Sequence, residues 1–423
     1  MKILVVGSGG REHALCWAIR RERPDAAVFC APGNGGTSQV ATNIPIAATA
    51  LDDLVAFAER EAIGLVVIGP EGPLAAGLAD RLRERKIATF GPSAAAAQLE
   101  ASKAFAKDVM ASARVPTASS MAFSELAGAF KYIDAHAEPL VVKADGLAAG
   151  KGAVVCATRA EARAAAQSML GDRVFGDAGN LIVVESFLPG EELSVLAVTN
   201  GTDVVVLPPA QDHKRLLEGD RGPNTGGMGA YSPVSFATAP LIQRIRDRVL
   251  EPTLAEMRRR GAPFSGVLYA GLMIDVGGNP WVIEFNCRFG DPETQVIVPR
   301  IERGLVDLLL ASATGAPLPI PTIRPDGAVT TVLAARGYPD QPVAGDAITF
   351  PDHLPAGAVV FHAGTRVDPD GTVRTAGGRV LAVTGLAPTF AGAQATSRAA
   401  AETIQFTGKH FRRDIGWREA ARP

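Results

Sequence analysis

The run Glu284-Phe285-Asn286-Cys287-Arg288-Phe289-Gly290-Asp291 alternates polar and apolar residues with period two, which predicts a strand with two distinct faces. Phe285, Cys287 and Phe289 form the buried face, and Glu284, Asn286 and Arg288 share the other. The strand closes a hairpin: residues 269–276 are mostly apolar, Gly277-Gly278-Asn279 supplies the turn, and residues 281–285 return. A carboxylate and a carboxamide oxygen on one face suit magnesium, which takes oxygen ligands and leaves positions for substrate phosphate. Arg288 beside them suits a bidentate clamp on a phosphoryl or carboxylate group. Gly290-Asp291-Pro292-Glu293-Thr294-Gln295 adds further polar groups at the strand end, which a solvated strand face would not require.

Working outward, the first hundred residues alternate short apolar runs (3–6, 27–30, 65–68, 88–90) with helical patterns (12–23, 51–61, 74–85). That order predicts a parallel sheet wound by helices. Each run ends in glycine or proline, and ligands bind at the carboxyl ends of such strands. Residues 99–114 read as a helix. Residues 116–187 read as a small inserted α+β unit, with strands at 140–143, 153–157 and 181–185 and one helix between the last two. A long helix is expected over 239–260, a proline-rich linker over 315–325, and short strands with one helix at 392–407 in the remainder. The expected fold is thus α/β and α+β multidomain: a doubly wound unit over 1–100, a central unit over 101–313 with its insert, and a mixed α/β unit over 326–423.

Three other segments carry chemistry. Lys143-Ala144-Asp145-Gly146-Leu147-Ala148-Ala149-Gly150-Lys151-Gly152 is a glycine-rich loop between two strands, so it is not a Walker A loop, which opens a helix. Its glycines still let backbone N–H groups approach phosphate, and its lysines add charge. Gln211-Asp212-His213-Lys214-Arg215, followed by Gly222-Pro223-Asn224-Thr225-Gly226-Gly227-Met228-Gly229, offers His213 and Asp212 as proton acceptors and Lys214 and Arg215 as phosphate grips. Gly7-Ser8-Gly9-Gly10-Arg11-Glu12-His13 follows the first strand, but its third dinucleotide-fingerprint position is Glu12, and the second strand ends without a ribose-binding acid. A phosphomonoester at the helix N-terminus fits better than a nicotinamide cofactor.

Composition narrows the class. The chain has 423 residues, with 42 basic and 44 acidic side chains and a net charge of −2. That balance argues against non-specific nucleic-acid binding. Apolar runs are strand-sized, so no membrane span is expected. The four cysteines are far apart and show no zinc or disulfide spacing, which suits the cytoplasm.

Together these segments resemble the ATP-grasp superfamily and, within it, the phosphoribosylamine–glycine ligase family of purine synthesis. The similarity spans essentially the whole chain. It implies a ligase that uses ATP and magnesium or manganese to join glycine to phosphoribosylamine through glycyl phosphate. It also implies a lid formed by the insert at 116–187, small-molecule partners only, and a monomer or small homo-oligomer. By the same resemblance, Glu284 and Asn286 hold the metal, and Lys103, Lys143, Gly146, Gly150, Lys151 and Gly152 meet ATP phosphates. Glu185 and Leu188 meet the adenine, and Glu192 the ribose. Gly9, Gly10, Asp212, His213, Lys214, Arg215, Gly226, Gly227, Arg288 and Asp291 are the implied substrate residues, with Arg288, Asp212 and Lys143 closest to the chemistry. The family pattern expects a second acid where this chain has Ser186. A carboxylase of the same superfamily is the nearest rival, but it would have no use for the segments at 211–215 and 224–231.

Overall fold

The computed structural model describes residues 1–148 and 152–422. Gly150 and Lys151 therefore lie outside the described residues. Strands β1 (Lys2–Gly7), β2 (Ala27–Pro32), β3 (Thr42–Asn43), β4 (Leu65–Ile68) and β5 (Thr89–Phe90) form one parallel sheet in the order β3-β2-β1-β4-β5. Ile3, Leu4, Val5 and Val6 are all fully buried, because helices cover both faces; hence the unbroken apolar run. The strand order reverses at β1, whose neighbours are β2 and β4, and this switch point opens a crevice at the carboxyl ends. The helix expected over 74–85 is instead two, Glu71–Ala75 and Leu78–Glu84, divided at Gly77 with φ +84. The helix expected over 99–114 is also two, Ala94–Ala101 and Lys103–Ala113. The break is Ser102, in an extended conformation, whose hydroxyl accepts from the Phe105 N–H at 3.1 Å and starts the second helix.

The insert contains four antiparallel strands, β6 (Ser120–Phe123), β7 (Leu140–Ala144), β8 (Ala153–Cys156) and β9 (Ile182–Ser186), in the order β6-β9-β7-β8. It has its own core, including Ile133, Leu140, Val142, Ala162 and Val184. Strand β6 and the helix Leu126–Ala135 were not expected from sequence. Strand β6 is a short edge with mostly exposed side chains, so it shows no alternation to read.

The chain continues through β10 (Glu191–Thr199), β11 (Val204–Val206), β12 (Gln211–Asp212), the hairpin β13 (Arg215–Leu217) and β14 (Arg221–Asn224), β15 (Gly229–Ser232), β16 (Gly266–Ile274) and β17 (Pro280–Asn286). Strands β11-β10-β16-β17 make an antiparallel sheet. The long helical run reaches from Ala239 to Arg259, with a widened turn over Arg246–Leu250. Strands β12 and β15 leave that region and hydrogen-bond into the C-terminal sheet with Gly327–Ala334, Arg379–Ala387 and Ala358–His362. The final long helix spans Phe390–Thr403; Thr389 caps its start, and pairing of Gln405 with Thr349 ends it before residue 407. No helix among the described residues is long and apolar enough to cross a membrane.

First and last segments meet at a histidine junction. The His362 N–H donates to His13 Nδ1 at 2.8 Å, and the His13 ring lies edge-on to Phe361. Burial lowers the pKa of His13 to about 3, with His362 adding to the effect, and that of His362 to about 4. Between those values and 6.5 the unfolded chain binds protons that the folded chain refuses, so stability falls as pH drops below 6.5. Each such histidine removes about 1.4 kcal/mol per pH unit inside its window. We expect the melting temperature to fall from pH 6.5 to 4, and His13→Gln to make that fall measurably shallower in calorimetric scans.

Candidate active site

A cleft of about 700 Å³ lies where the first sheet, the insert, the β16–β17 hairpin and the C-terminal sheet converge. Its walls include Gly7, Gly9 and Glu71 from the first unit, Lys103 and Lys107 from one helix, Lys143 and Glu185 from the insert, Glu284 and Asn286 from β17 with Arg288 just beyond it, and Arg379 from the C-terminal sheet.

Strand β17 is organised by a bulge. Its register with β16 pairs Leu272 with Val282 and Gly271 with Glu284, so Ile283 has no opposite residue. The Ile283 carbonyl instead accepts from Lys143 Nζ at 2.9 Å. Beyond the bulge Phe285, Cys287 and Phe289 are each 2% exposed, as period two predicts, and Glu284, Asn286 and Arg288 face the cleft. Burial alone would raise the Glu284 pKa, but Lys214, Lys143 and Lys103 hold it below the usual carboxylate range. Arg288 donates from Nη2 to Asn286 Oδ1 at 3.2 Å and pairs with Glu100 at 2.9 Å and Glu71 at 3.2 Å. Although burial opposes it, those two acids raise the Arg288 pKa, Glu100 more than Glu71.

At one end the cleft is apolar, lined by Met110, Val141, Val155, Leu188, Met273 and Ile283, a surface suited to a flat heteroaromatic ring. Glu185 does not face this surface as a free acid. It sits between Lys143 at 3.1 Å and Lys107 at 3.2 Å. Burial lowers the Lys107 pKa to about 8, against the pull of Glu185. Lys103 Nζ donates to the Gly146 carbonyl at 3.3 Å, which ties the lysine to the start of the glycine-rich loop. Gly146 itself does not line the cleft, whereas Gly152 does.

The far end corrects several sequence expectations. At the N-terminus of the helix Gly10–Glu22, the Gly9 N–H donates to Glu12 at 2.6 Å and the Arg11 N–H to Asp291 at 3.2 Å. The anion position expected for a substrate phosphate is thus shared by the protein's own carboxylates. Gly10 is off the cleft, and a Cβ there would stand 2.6 Å from Gln295 Nε2. Alternation along the segment at 211–214 turns Asp212 and Lys214 to the cleft and His213 away from it. His213 is 1% exposed, its Nε2 accepts the Gly416 N–H at 3.1 Å, and burial lowers its pKa to about 3. It is part of the C-terminal packing and does not line the cleft. Arg215 is likewise off the cleft and donates to the Gly222 carbonyl at 2.8 Å. Gly227 is a backbone position with φ +109, where a Cβ would meet Pro292 at 2.5 Å. Gly226 lines the cleft, and its carbonyl accepts from Arg379.

Lys214 lines the cleft, but its ammonium is bound to Glu192 and lies 3.6 Å from Asp212. These acids raise its pKa despite burial. It neutralises carboxylates and is not a free grip for phosphate, and Glu192 is equally engaged. Burial, with Glu293 and Glu192 adding to it and Lys214 opposing it, raises the Asp212 pKa to about 7.

Sequence reasoning missed Lys107, Glu71, Glu100, Glu293 and Arg379 as cleft residues. Lys107 lies one helical turn from Lys103, and Glu71 opens the helix that follows a strand end, so both had a local signal. Arg379 comes from a distant strand and had none. Its Nη1 lies 3.3 Å from Asp291 Oδ1 and donates to the Asp291 carbonyl at 2.8 Å.

Comparison with known proteins identifies the family. Residues 1–100, 101–294 and 328–418 match the N domain, the ATP-grasp (A) domain and the C domain of phosphoribosylglycinamide synthetase. The phosphoribosylamine–glycine ligase of Xanthomonas campestris is 49% identical, over 100% of this chain and 99% of its own. That of Pseudomonas aeruginosa is 47% identical with the same coverage. The crystal structure of the Thermotoga maritima phosphoribosylamine–glycine ligase superposes with a TM-score of 0.86 at 37% identity, covering 98% of this chain and 100% of that one. A biotin carboxylase from Campylobacter jejuni shares the fold alone, with a TM-score of 0.76 at 15% identity, covering 100% of this chain and 95% of that one. This chain, similar over its full length to named ligases and built on the same three domains, belongs to the phosphoribosylglycinamide synthetase family of ATP-grasp ligases.

Proposed function

We propose that this cleft joins glycine to 5-phosphoribosylamine at the expense of ATP, giving glycinamide ribonucleotide, ADP and phosphate in purine biosynthesis. The observation that carries the reading is the convergence of Glu284, Asn286 and Arg288 on one strand face with Lys103 and Lys143 from two other elements. A carboxylate is a poor acyl donor. Transfer of the γ-phosphoryl group to glycine's carboxylate creates a leaving group; the amine of phosphoribosylamine then forms the amide and expels phosphate. Both reactants in the first step are anionic, so fixed positive charge lowers the barrier.

The donor set fits a hard divalent cation: Glu284 is kept ionised, and Asn286 offers its oxygen, oriented by Arg288. These two residues would hold magnesium, with manganese as the substitute, and the bound ion would supply charge neutralisation on the ATP phosphates. Lys143 and Lys103 meet the phosphates, with Gly152 beside them at the cleft wall. Leu188 and its apolar neighbours hold the adenine. Glu185 fixes Lys143, and Glu192 serves the ribose end together with its partner Lys214. Arg288 receives the glycine carboxylate. Gly9, Gly226, Asp291 and Arg379 line the phosphoribosylamine end. Asp212, with a pKa near 7, is suited to accept the proton released by the attacking amine. The insert at 116–187 acts as a lid that excludes water from the acyl phosphate. The units 1–100, 101–313 and 326–423 work as one monomer or small homo-oligomer in the cytoplasm.

The deciding assay mixes the protein with ATP, magnesium, glycine and freshly generated phosphoribosylamine and follows ADP. Release that does not depend on both substrates overturns the reading. Chelation of the metal should stop ADP release, and added magnesium or manganese should restore it. Glu284→Ala should lower kcat by roughly a thousandfold or more while the melting temperature stays close to that of the parent protein. For Asp212 the active form is the ionised one. Turnover limited by the amine step should therefore rise as pH passes through about 7, and Asp212→Asn should lose that limb of the pH profile.

A further inference from the structure

Glu100 lies at the end of the helix Ala94–Ala101, just before the break at Ser102 that starts the helix carrying Lys103. Its side chain is 8% exposed, against 30% for Glu71, the other acid on Arg288. The two oxygens of Glu100 divide their work. Oε1 takes Arg288 Nη2 at 2.9 Å, while Oε2 accepts the Cys287 backbone N–H at 2.8 Å and the Cys287 thiol at 3.2 Å. One buried carboxylate thus grips the backbone of residue 287 and the side chain of residue 288. The remaining Arg288 donors reach Asn286 Oδ1 at 3.2 Å, Glu71 at 3.2 Å and the Phe289 carbonyl at 3.3 Å.

We infer that Glu100 is a positioning residue for the ligase reaction: it fixes the Arg288 guanidinium, and through it the Asn286 carboxamide, in register with Lys103 on the adjoining helix. The inference rests on the reading that Arg288 receives the glycine carboxylate. The neighbouring acids have different parts. Arg288 is flanked by Glu71 and Glu100, so an incoming carboxylate competes with them for its guanidinium. Glu71 stands at the cleft wall and is free to yield its place to the substrate. Glu100, at the base of the cleft and 8% exposed, holds two groups at once and stays. Losing it leaves Arg288 held by the longer bonds to Glu71, Asn286 and the Phe289 carbonyl, and a clamp displaced by a fraction of an ångström fails in orientation before it fails in charge.

Glu100→Gln keeps an oxygen for the Cys287 N–H and removes the charge facing Arg288. Steady-state kinetics should show the KM for glycine raised roughly tenfold and kcat lowered by a similar factor, with the KM for ATP within about twofold of the parent value. In an Arg288→Met background the same substitution should have no further effect, because the residue it positions is gone. Should Glu100→Gln not fold, Glu100→Asp carries the same test, since it keeps the charge but withdraws it from both partners. The idea is overturned by equal losses for glycine and ATP, or by an effect that persists in full without Arg288. If the parent protein itself releases no ADP with glycine and phosphoribosylamine, the reading of the cleft has failed instead. Coupling between Glu100 and Arg288 is then judged from melting temperatures of the two single variants and the double variant, where simple additivity refutes it.

Discussion

Glu284 is a carboxylate held ionised in a largely buried setting by three lysines, Lys214, Lys143 and Lys103, each carried by a different segment of the chain. Without them, burial would push the group toward its neutral form, and a neutral acid is a poor partner for a divalent cation. The architecture around the cleft follows from bringing these charges together. Lys143 comes from the insert, Lys103 from a helix that starts at a break, and Lys214 from the segment that crosses into the C-terminal sheet.

Opposite charges are clustered along the site. Glu185 lies between Lys107 and Lys143, Arg288 between Glu71 and Glu100, and Asp291 beside Arg379. The cations of these groups are thus already engaged by carboxylates before any substrate arrives. Each anionic substrate must replace an internal carboxylate or share its cation. The exposed members of these pairs are suited to exchange, and the buried members set the geometry that exchange leaves intact.

The fold makes this matching possible because no single domain owns the cleft. The first sheet contributes its carboxyl ends at the switch point beside β1, where Gly7 and Glu71 open the crevice. The C-terminal sheet incorporates β12 and β15 and returns Arg379 to the wall. The bulge at Ile283 frees a backbone carbonyl that Lys143 then takes, so a local irregularity of one strand becomes the attachment point for the insert.

By itself, the sequence determined the parallel first unit, the β16–β17 hairpin and the common face of Glu284, Asn286 and Arg288. These are local consequences of period-two and period-3.6 patterns, which hold whatever the chain packs against. It also singled out the segments at 143–152 and 211–215, whose composition is costly outside a site. Tertiary structure alone decided which members of those segments face the cleft. His213 and Asp212 are neighbours in sequence, and only the pairing of β12 with β15 turns one into the C-terminal packing and the other toward the cleft. Lys214 is chemically a fine phosphate ligand until Glu192 and Asp212 are placed beside it. Arg379 and Glu100 acquire their positions from contacts 88 and 188 residues away, with Asp291 and Arg288. Pairings over such distances leave no local pattern, because the energy that selects them comes from burial and charge compensation between segments that meet only in the folded chain.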